Sequence, residues 1–190
     1  HRGTRCRKMH SSYRSTFRTV GDIPLCRVSI NEFHLLTDDY LPRDPDRRAL
    51  IDPVYDDNVT ILYYYPGMKP DLVDALVEKG YRGIVIAGTG LGHVNRKVYP
   101  ALERARKAGV LTFMTLQTLW GFVQMHVYET GREILQLGVI PLANMLPEAA
   151  YIKLGWALGM HPDDPDAVRK LMTTAIADEM TTREPHDGYL

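Results

Sequence analysis

The chain has 190 residues, of which 45% are hydrophobic and 24% charged, the proportions of an ordinary globular domain. Its 23 basic and 23 acidic residues balance, so charge gives no reason to expect tight binding to nucleic acid or to a membrane surface. No apolar run approaches the roughly 18 residues that a membrane span needs, and no signal peptide opens the chain. Two cysteines, Cys6 and Cys26, are too few for a disulfide framework and indicate a reducing cytoplasm.

The start of the chain and its histidines allow two further predictions. The seven histidines are scattered without ligand spacing, so we predict no metal site. His1 opens the chain without an initiator Met, which favours a piece of a longer polypeptide; a processed mature N-terminus is the alternative.

Residues 1–57 are rich in Arg, Asp, Pro and Ser and show little apolar periodicity. Residues 24–30 allow one strand, whereas the Pro and Asp content of residues 39–49 indicates a loop. We predict that this part is the remnant of another domain followed by a linker.

Residues 58–190 alternate between strand and helix patterns. Three β-branched or apolar runs predict buried strands at residues 59–65, 83–87 and 110–114. Apolar periodicity with Pro and Gly boundaries predicts helices between residues 70 and 80, at 98–108, 129–137 and 147–158, and from 165 to about 180. The fold class is therefore α/β: a small parallel sheet flanked by helices, preceded by the remnant in residues 1–57.

The last of these helices has the clearest amphipathic pattern. Its apolar residues recur at i, i+3, i+4, i+7 and i+8, and we expect them to pack on the sheet: Val168, Leu171, Met172, Ala175 and Ile176.

The glycine-rich turn Gly88–Gly92 is not a dinucleotide fingerprint. Its third glycine comes one position early and the turn follows the second strand instead of the first. It is either a strand end that a ligand approaches closely or a plain tight turn. His93, which follows, could donate a hydrogen bond to a carboxylate or to a neighbouring protomer, or simply be solvated.

A second polar group stands where a helix begins. Tyr128, Glu129 and Thr130 bring together a hydroxyl, a carboxylate and free N–H groups. A carboxylate there could bind a substrate ammonium; the alternative is that Glu129 and Thr130 only cap the helix.

The sequence offers no complete nucleophilic site. Thr89 and Thr115 lack a base at readable spacing. Lys8, Ser11 and Ser12 lie in the loose N-terminal segment, where a preorganised site is not expected.

Together these residues resemble the L-asparaginase family. Residues 4–12, with Phe17 and Pro24, resemble the end of the family's N-terminal domain, and residues 83–94 resemble its C-terminal-domain turn. Residues 127–132, 138–141 and 145–159 resemble the archaeal branch of the family, whose members are the D subunits of glutamyl-tRNA(Gln) amidotransferases.

The resemblance implies a reaction. Family members release ammonia from the side-chain amide of Asn or Gln through a threonine nucleophile and an acyl-enzyme. A second threonine, an aspartate and a lysine assist, and all four are expected upstream of this chain, so that the catalytic set here is empty and the fragment alone inactive. In the archaeal complex the ammonia passes to a second protein that uses ATP and Mg to amidate glutamate on tRNA(Gln); the asparaginase-like component itself needs no cofactor.

The resemblance also implies where substrate and partners bind. His93, Tyr128, Glu129 and Thr130 are the expected substrate-binding residues, acting across a homodimer. We expect a cytoplasmic protein with a small amide substrate and no membrane partner. A free-standing type I L-asparaginase and a non-catalytic dimerisation module remain as alternatives.

Overall fold

A computed structural model describes residues 1–186. Residues 187–190, which close the predicted domain 58–190, lie outside the described residues. The strands are β1 (Cys6–Lys8), β2 (Phe17–Thr19), β3 (Cys26–Val28), β4 (Phe33–Leu35), β5 (Val59–Tyr63), β6 (Gly83–Gly88), β7 (Leu111–Leu116) and β8 (Ile140–Pro141). The helices are α1 (Asp71–Glu78), α2 (Tyr99–Lys107), α3 (Glu129–Gln136), α4 (Pro147–Met160) and α5 (Pro165–Met172), with 3₁₀ turns at Gly3–Arg5 and Arg96–Val98.

The predicted parallel sheet is confirmed, with one strand more than expected. Strands β5, β6, β7 and β8 lie in that order and every pair is parallel. The fourth strand, β8, escaped prediction because it has two residues, one of them proline, and so shows no strand pattern. Just after β8, the Leu142 N–H donates a 2.9 Å hydrogen bond to the Met114 carbonyl of β7, which continues the pairing.

Helices cover both faces of the sheet, and the strands β6 and β7 are therefore buried along their whole length. Ile84, Ile86 and Met114 face one apolar core, which α1, α2 and α3 close. Val85 and Phe113 face the other core, which α4 and α5 close. Alternate residues of each strand therefore supply opposite cores, as the pleat requires.

Residues 1–57 contain more regular structure than the sequence indicates. Strands β1 and β2 form one antiparallel hairpin, and β3 and β4 form a second. The strand expected within residues 24–30 is present as β3, whereas β1, β2 and β4 were not predicted from the sequence. Three-residue strands are too short to show an alternating pattern, so only their pairing partners reveal them.

The segment that precedes β5 lies across two glycines of α4. A Cβ at Gly159 would lie 2.7 Å from the Tyr55 backbone nitrogen, and one at Gly155 would overlap the Tyr55 ring. Burial, helped by a hydrogen bond with Tyr151, raises the pKa of Tyr55 to about 12. The Asp56 N–H donates to the Gly155 carbonyl at 2.9 Å. Because these two glycines have no side chains, the segment that precedes β5 packs directly on the helix backbone.

Helix α5 is shorter than predicted. It ends at Met172 instead of near Met180, so Val168 and Met172 are buried whereas Ala175 and Ile176 are exposed. The expected packing is also altered, because α5 lies against α4 and reaches the core beside it. Helix α5 ends early because of contacts with residues outside it, which the apolar pattern of residues 165–180 does not reveal.

A buried ion pair explains the early end of α5. The Lys153 ammonium contacts the Glu179 carboxylate, and the two side chains are 6% and 3% exposed. The same carboxylate accepts the Ala177 N–H at 2.7 Å and the Ile176 N–H at 3.2 Å. Lys153 Nζ also donates to the Thr174 carbonyl at 2.5 Å. A continuous helix would carry these backbone groups away from Lys153, so the chain turns instead.

We predict that Glu179→Gln lowers the free energy of unfolding by about 3 kcal/mol at pH 7, because it leaves the Lys153 charge buried without its counter-ion. Burial alone raises the pKa of Glu179, but hydrogen bonds from Lys153 and from backbone N–H groups lower it below its ordinary value. A lowered folded-state pKa stabilises the fold above the unfolded-state pKa and stops doing so as pH falls through the folded one. The difference between the two proteins should therefore shrink below about pH 4.

Urea unfolding at pH 7 and at acid pH measures this effect. Glu103→Gln is the matched control, since Glu103 pairs with Lys107 on the exposed surface of α2 and should cost less than about 0.5 kcal/mol. Equal costs for the two variants would contradict a special role for the buried pair.

Candidate functional site

The turn after β6 is a closed backbone loop. The Thr89 N–H donates to the His93 carbonyl at 3.0 Å, and the His93 N–H returns a 2.9 Å bond to the Thr89 carbonyl. Gly90 and Gly92 have φ angles of 53° and 99°, which residues with a side chain rarely adopt. The two glycines therefore allow the chain to reverse within five residues, which places His93 at the carboxyl end of the sheet.

The second polar group begins α3, as predicted. Tyr128 is the extended residue before the helix, and its carbonyl accepts the Gly131 N–H at 3.1 Å. The Tyr128 side chain makes no capping hydrogen bond, and Glu129 places an acidic group in the first turn of the helix. Tyr99 on α2 donates its hydroxyl to the Thr130 carbonyl at 3.0 Å, which holds the first turn in place.

The fold brings three of the four predicted binding residues together. His93, Tyr128 and Thr130 line one open cavity of about 710 Å³ with residues of the turn and of the segment that follows it: Thr89, Gly90, Leu91, Val94, Asn95 and Arg96. The His93 and Tyr128 rings meet edge to face with centroids 5.6 Å apart. Within residues 1–186, His93 Nε2 is buried and has no hydrogen-bond partner. A buried ring nitrogen without a partner is unusual in a folded protein, which marks His93 as a candidate binding residue.

Glu129 is placed differently from the other three. Its side chain is 76% exposed and lies at the edge of the cavity instead of in its lining. One carboxylate oxygen is 3.5 Å from a guanidinium nitrogen of Arg96, and the same guanidinium makes two bonds of 2.7 and 2.8 Å to Glu133. Hydrogen bonding with Glu133 raises the pKa of Arg96, and the same bonds lower the pKa of Glu133. The edge of the cavity thus carries one shared cation between two carboxylates.

Arg96 and Asn95 were missed by reasoning from the sequence. The Asn95 side chain accepts the Lys97 N–H at 2.9 Å and so starts the 3₁₀ turn that presents Arg96. An Asn before a helical start is a recognisable signal. What no local pattern shows is that Glu129 and Glu133, more than thirty residues later, meet the arginine.

The segment between β7 and α3, residues 117–128, supports this cavity from below, and we call it the β7–α3 loop. The Gln124 N–H donates to the Leu91 carbonyl at 3.0 Å. A Cβ on Gly92 would lie 2.8 Å from Val123 Cγ1, and one on Gly131 would overlap the Met125 carbonyl oxygen. The loop therefore packs directly against both the turn and the start of α3.

The two threonines of the sheet edge bond to backbone. Thr89 Oγ1 donates to the His93 carbonyl and Thr115 Oγ1 donates to the Ile86 carbonyl, each at 3.2 Å. Both hydroxyls therefore serve the local structure of the turn and of the sheet.

Residues 1–186 lack the features of two other classes of site. No set of three or more His, Cys, Asp or Glu side chains is arranged there to hold a metal ion. In the same part of the chain, no helix has the length and apolar character needed to cross a bilayer.

Comparison with known proteins identifies the fold. The sequence model of the family described as the Glutaminase/Asparaginase C-terminal domain matches residues 58–172. The chain belongs to this family. The structure of the thermostable L-asparaginase from Thermococcus kodakarensis resembles this asparaginase-type chain with a TM-score of 0.79 and 34% identity, covering 94% of this chain and 54% of that one.

Curated relatives extend the similarity beyond the asparaginase C-terminal domain. The D subunit of glutamyl-tRNA(Gln) amidotransferase from Thermococcus kodakarensis is 47% identical over the full length of this chain, and that from Pyrococcus abyssi is 45% identical. In each case the chain spans 43% of the relative's length.

The turn of this asparaginase-type domain offers a matched pair of substitutions. In Gly90→Ala the new Cβ has no atom within 4 Å, so the unfavourable φ is the only source of strain. This substitution should lower the free energy of unfolding by about 1 kcal/mol. Gly92→Ala adds contacts of 2.8 Å with Val123 and 3.0 Å with Met114 and should cost about 2 kcal/mol more. Urea unfolding measures both costs. Equal costs would show that the β7–α3 loop does not confine the turn.

Proposed function

We propose that this chain is the C-terminal part of the ammonia-releasing D subunit of an archaeal-type glutamyl-tRNA(Gln) amidotransferase. One observation carries the proposal. Of two Thermococcus kodakarensis proteins, the amidotransferase component is 47% identical over the whole chain, whereas the L-asparaginase is 34% identical over 94% of it. The higher identity, which includes residues 1–57, favours the amidotransferase over a free-standing asparaginase.

In this proposal the reaction is divided between two parts of the polypeptide. Residues 1–57 are the end of the N-terminal asparaginase domain and the linker, and residues 58–190 are the C-terminal domain. The nucleophilic threonine, its Thr-Asp pair and the lysine lie upstream. They release ammonia from the side-chain amide of Asn or Gln, and a second subunit uses it to form Gln-tRNA(Gln) in the cytoplasm.

The cavity at the sheet edge then completes the amide site of a neighbouring protomer. The His93 ring supports this role, because it lines the cavity and a hydrogen bond with a substrate carboxylate would satisfy its unpartnered Nε2. The exposure of Tyr128 and Glu129 supports it as well, since both can reach beyond their own chain. Glu129 accepts the substrate's α-ammonium, a charge-assisted bond of roughly 1.5–3 kcal/mol.

Reconstitution tests the proposed function. The full-length protein, purified with the second subunit, should convert Glu-tRNA(Gln) to Gln-tRNA(Gln) with asparagine or glutamine as ammonia donor. The 190-residue chain alone should release no ammonia from either amide. A full-length protein that hydrolyses asparagine but fails to bind the second subunit would indicate a free asparaginase, and one without amidase activity would indicate a non-catalytic module.

Substitution of Glu129 tests the binding role. In the full-length protein, Glu129→Gln should raise KM for the amide about tenfold and change kcat by less than about twofold, because it removes binding that substrate and transition state share. Glu103→Gln is the control, since Glu103 pairs with Lys107 on α2 and neither residue lines the cavity, so KM should stay near the wild-type value. Steady-state kinetics that are unchanged in Glu129→Gln would contradict the assignment.

A further inference from the structure

The β7–α3 loop forms a hydrogen bond with a residue in the C-terminal segment of the chain. The Gly121 N–H donates to Glu184 Oε2 at 2.9 Å, across 63 residues. Two residues further along, the Val123 N–H bonds to the Ala143 carbonyl, and the next residue bonds to the turn at Leu91. Glu184 therefore contacts the loop just before the part that supports the cavity.

The Glu184 carboxylate is itself held on its other side. Asn144 Nδ2 donates to Oε1 at 3.1 Å, and an Arg5 guanidinium nitrogen lies 3.9 Å from the same oxygen. Asn144 is fixed in turn, because it donates to Thr181 Oγ1 at 2.7 Å and accepts the Thr181 N–H at 2.9 Å. The Glu184 side chain is 15% exposed, so water does not replace these contacts freely.

Arg5 is the fixed centre of this group. Its side chain is 1% exposed, and it donates to the carbonyls of Val20 at 2.9 Å and of Gly21 and Glu179 at 3.3 Å. A Cβ on Gly21 would lie 2.6 Å from Glu184 Oε1 and would overlap the Arg5 guanidinium. The Gly21 backbone thus lies directly against both side chains. We call Arg5, Asn144 and Glu184 the Arg5–Glu184 clasp.

We propose that Glu184 is a positioning residue: held by Arg5 and Asn144, it fixes Gly121 and so sets the β7–α3 loop on which the amide cavity rests. The inference rests on the proposed function for what the cavity binds. Arg5 belongs to the segment that adjoins the upstream catalytic part, so the clasp also links that part to the cavity. Glu184 touches no substrate in this arrangement and acts only through the loop.

Glu184→Gln in the full-length protein tests the proposal. The amide keeps the size of the side chain, but it loses the charge opposite Arg5 and brings an NH₂ group against donors that need an acceptor. We expect KM for asparagine or glutamine to rise about fivefold while kcat changes by less than about twofold. Amide hydrogen exchange in residues 117–128 should accelerate, because a released loop opens locally.

Two further variants keep the outcome interpretable. Glu148→Gln breaks the 2.9 Å pair with Arg7, which also joins the N-terminal segment to the C-terminal domain but does not touch the loop, and should leave KM and loop exchange unchanged. Glu184→Asp keeps the charge while withdrawing the carboxylate from Gly121 by one methylene. It should therefore raise KM and loop exchange even if Glu184→Gln does not fold.

Hydrogen exchange separates failure of this inference from failure of the proposed function. A lower melting temperature in the Glu184 variants with wild-type KM and wild-type loop exchange would overturn the positioning role. If the wild-type protein releases no ammonia, the proposed function is wrong, yet faster exchange in residues 117–128 of the Glu184 variants would still support control of the loop by the clasp. Unchanged exchange would reject that control in either case.

Discussion

The parallel pairing of β6 with β7 is the contact on which the rest of the molecule depends. All six residues of each strand are buried, and alternate side chains enter two separate apolar cores. Such a pair is stable only if helices cover both of its faces, which the α1–α2–α3 and α4–α5 layers do. Because the strands are parallel, their carboxyl ends meet at one edge, where the turn Gly88–His93 and the β7–α3 loop become neighbours.

Backbone contacts do more than charge pairs to shape the cavity at that edge. The Arg96–Glu133 and Arg96–Glu129 pairs are exposed enough for water to screen them, so they add little to stability. Gly92 and Val123 are buried and approach each other closely, and the hydrogen bond from Gln124 to the Leu91 carbonyl adds a second attachment of the loop to the turn. The exposed charges are consequently free to respond to a ligand while the scaffold beneath them stays in place.

The sequence predicts those features that arise from local patterns. Strands β5, β6 and β7 and the start of α3 follow from apolar runs and glycine boundaries, and the strand-end rule places His93 at the carboxyl edge of the sheet. The end of α5 could not be predicted, because Glu179 turns the chain toward Lys153, 26 residues away. The contact between Glu129 and Arg96 spans 33 residues, and the partners of Arg5 lie up to 179 residues along the chain. Contacts of this kind exist only once the chain is folded.

Apolar and charged contacts hold different parts of the molecule together. The cores between the sheet and its helices are apolar, which supplies stability without fixing orientation sharply. Buried charges instead join the segments outside the family match: Arg5 connects residues 1–22, and Glu179 and Glu184 connect residues 173–186. Apolar contacts could stabilise these junctions equally well, but they tolerate sliding, whereas a buried ion that loses its partner is strongly penalised. Polar attachment therefore suits junctions at which a fixed geometry matters more than the strength of the contact.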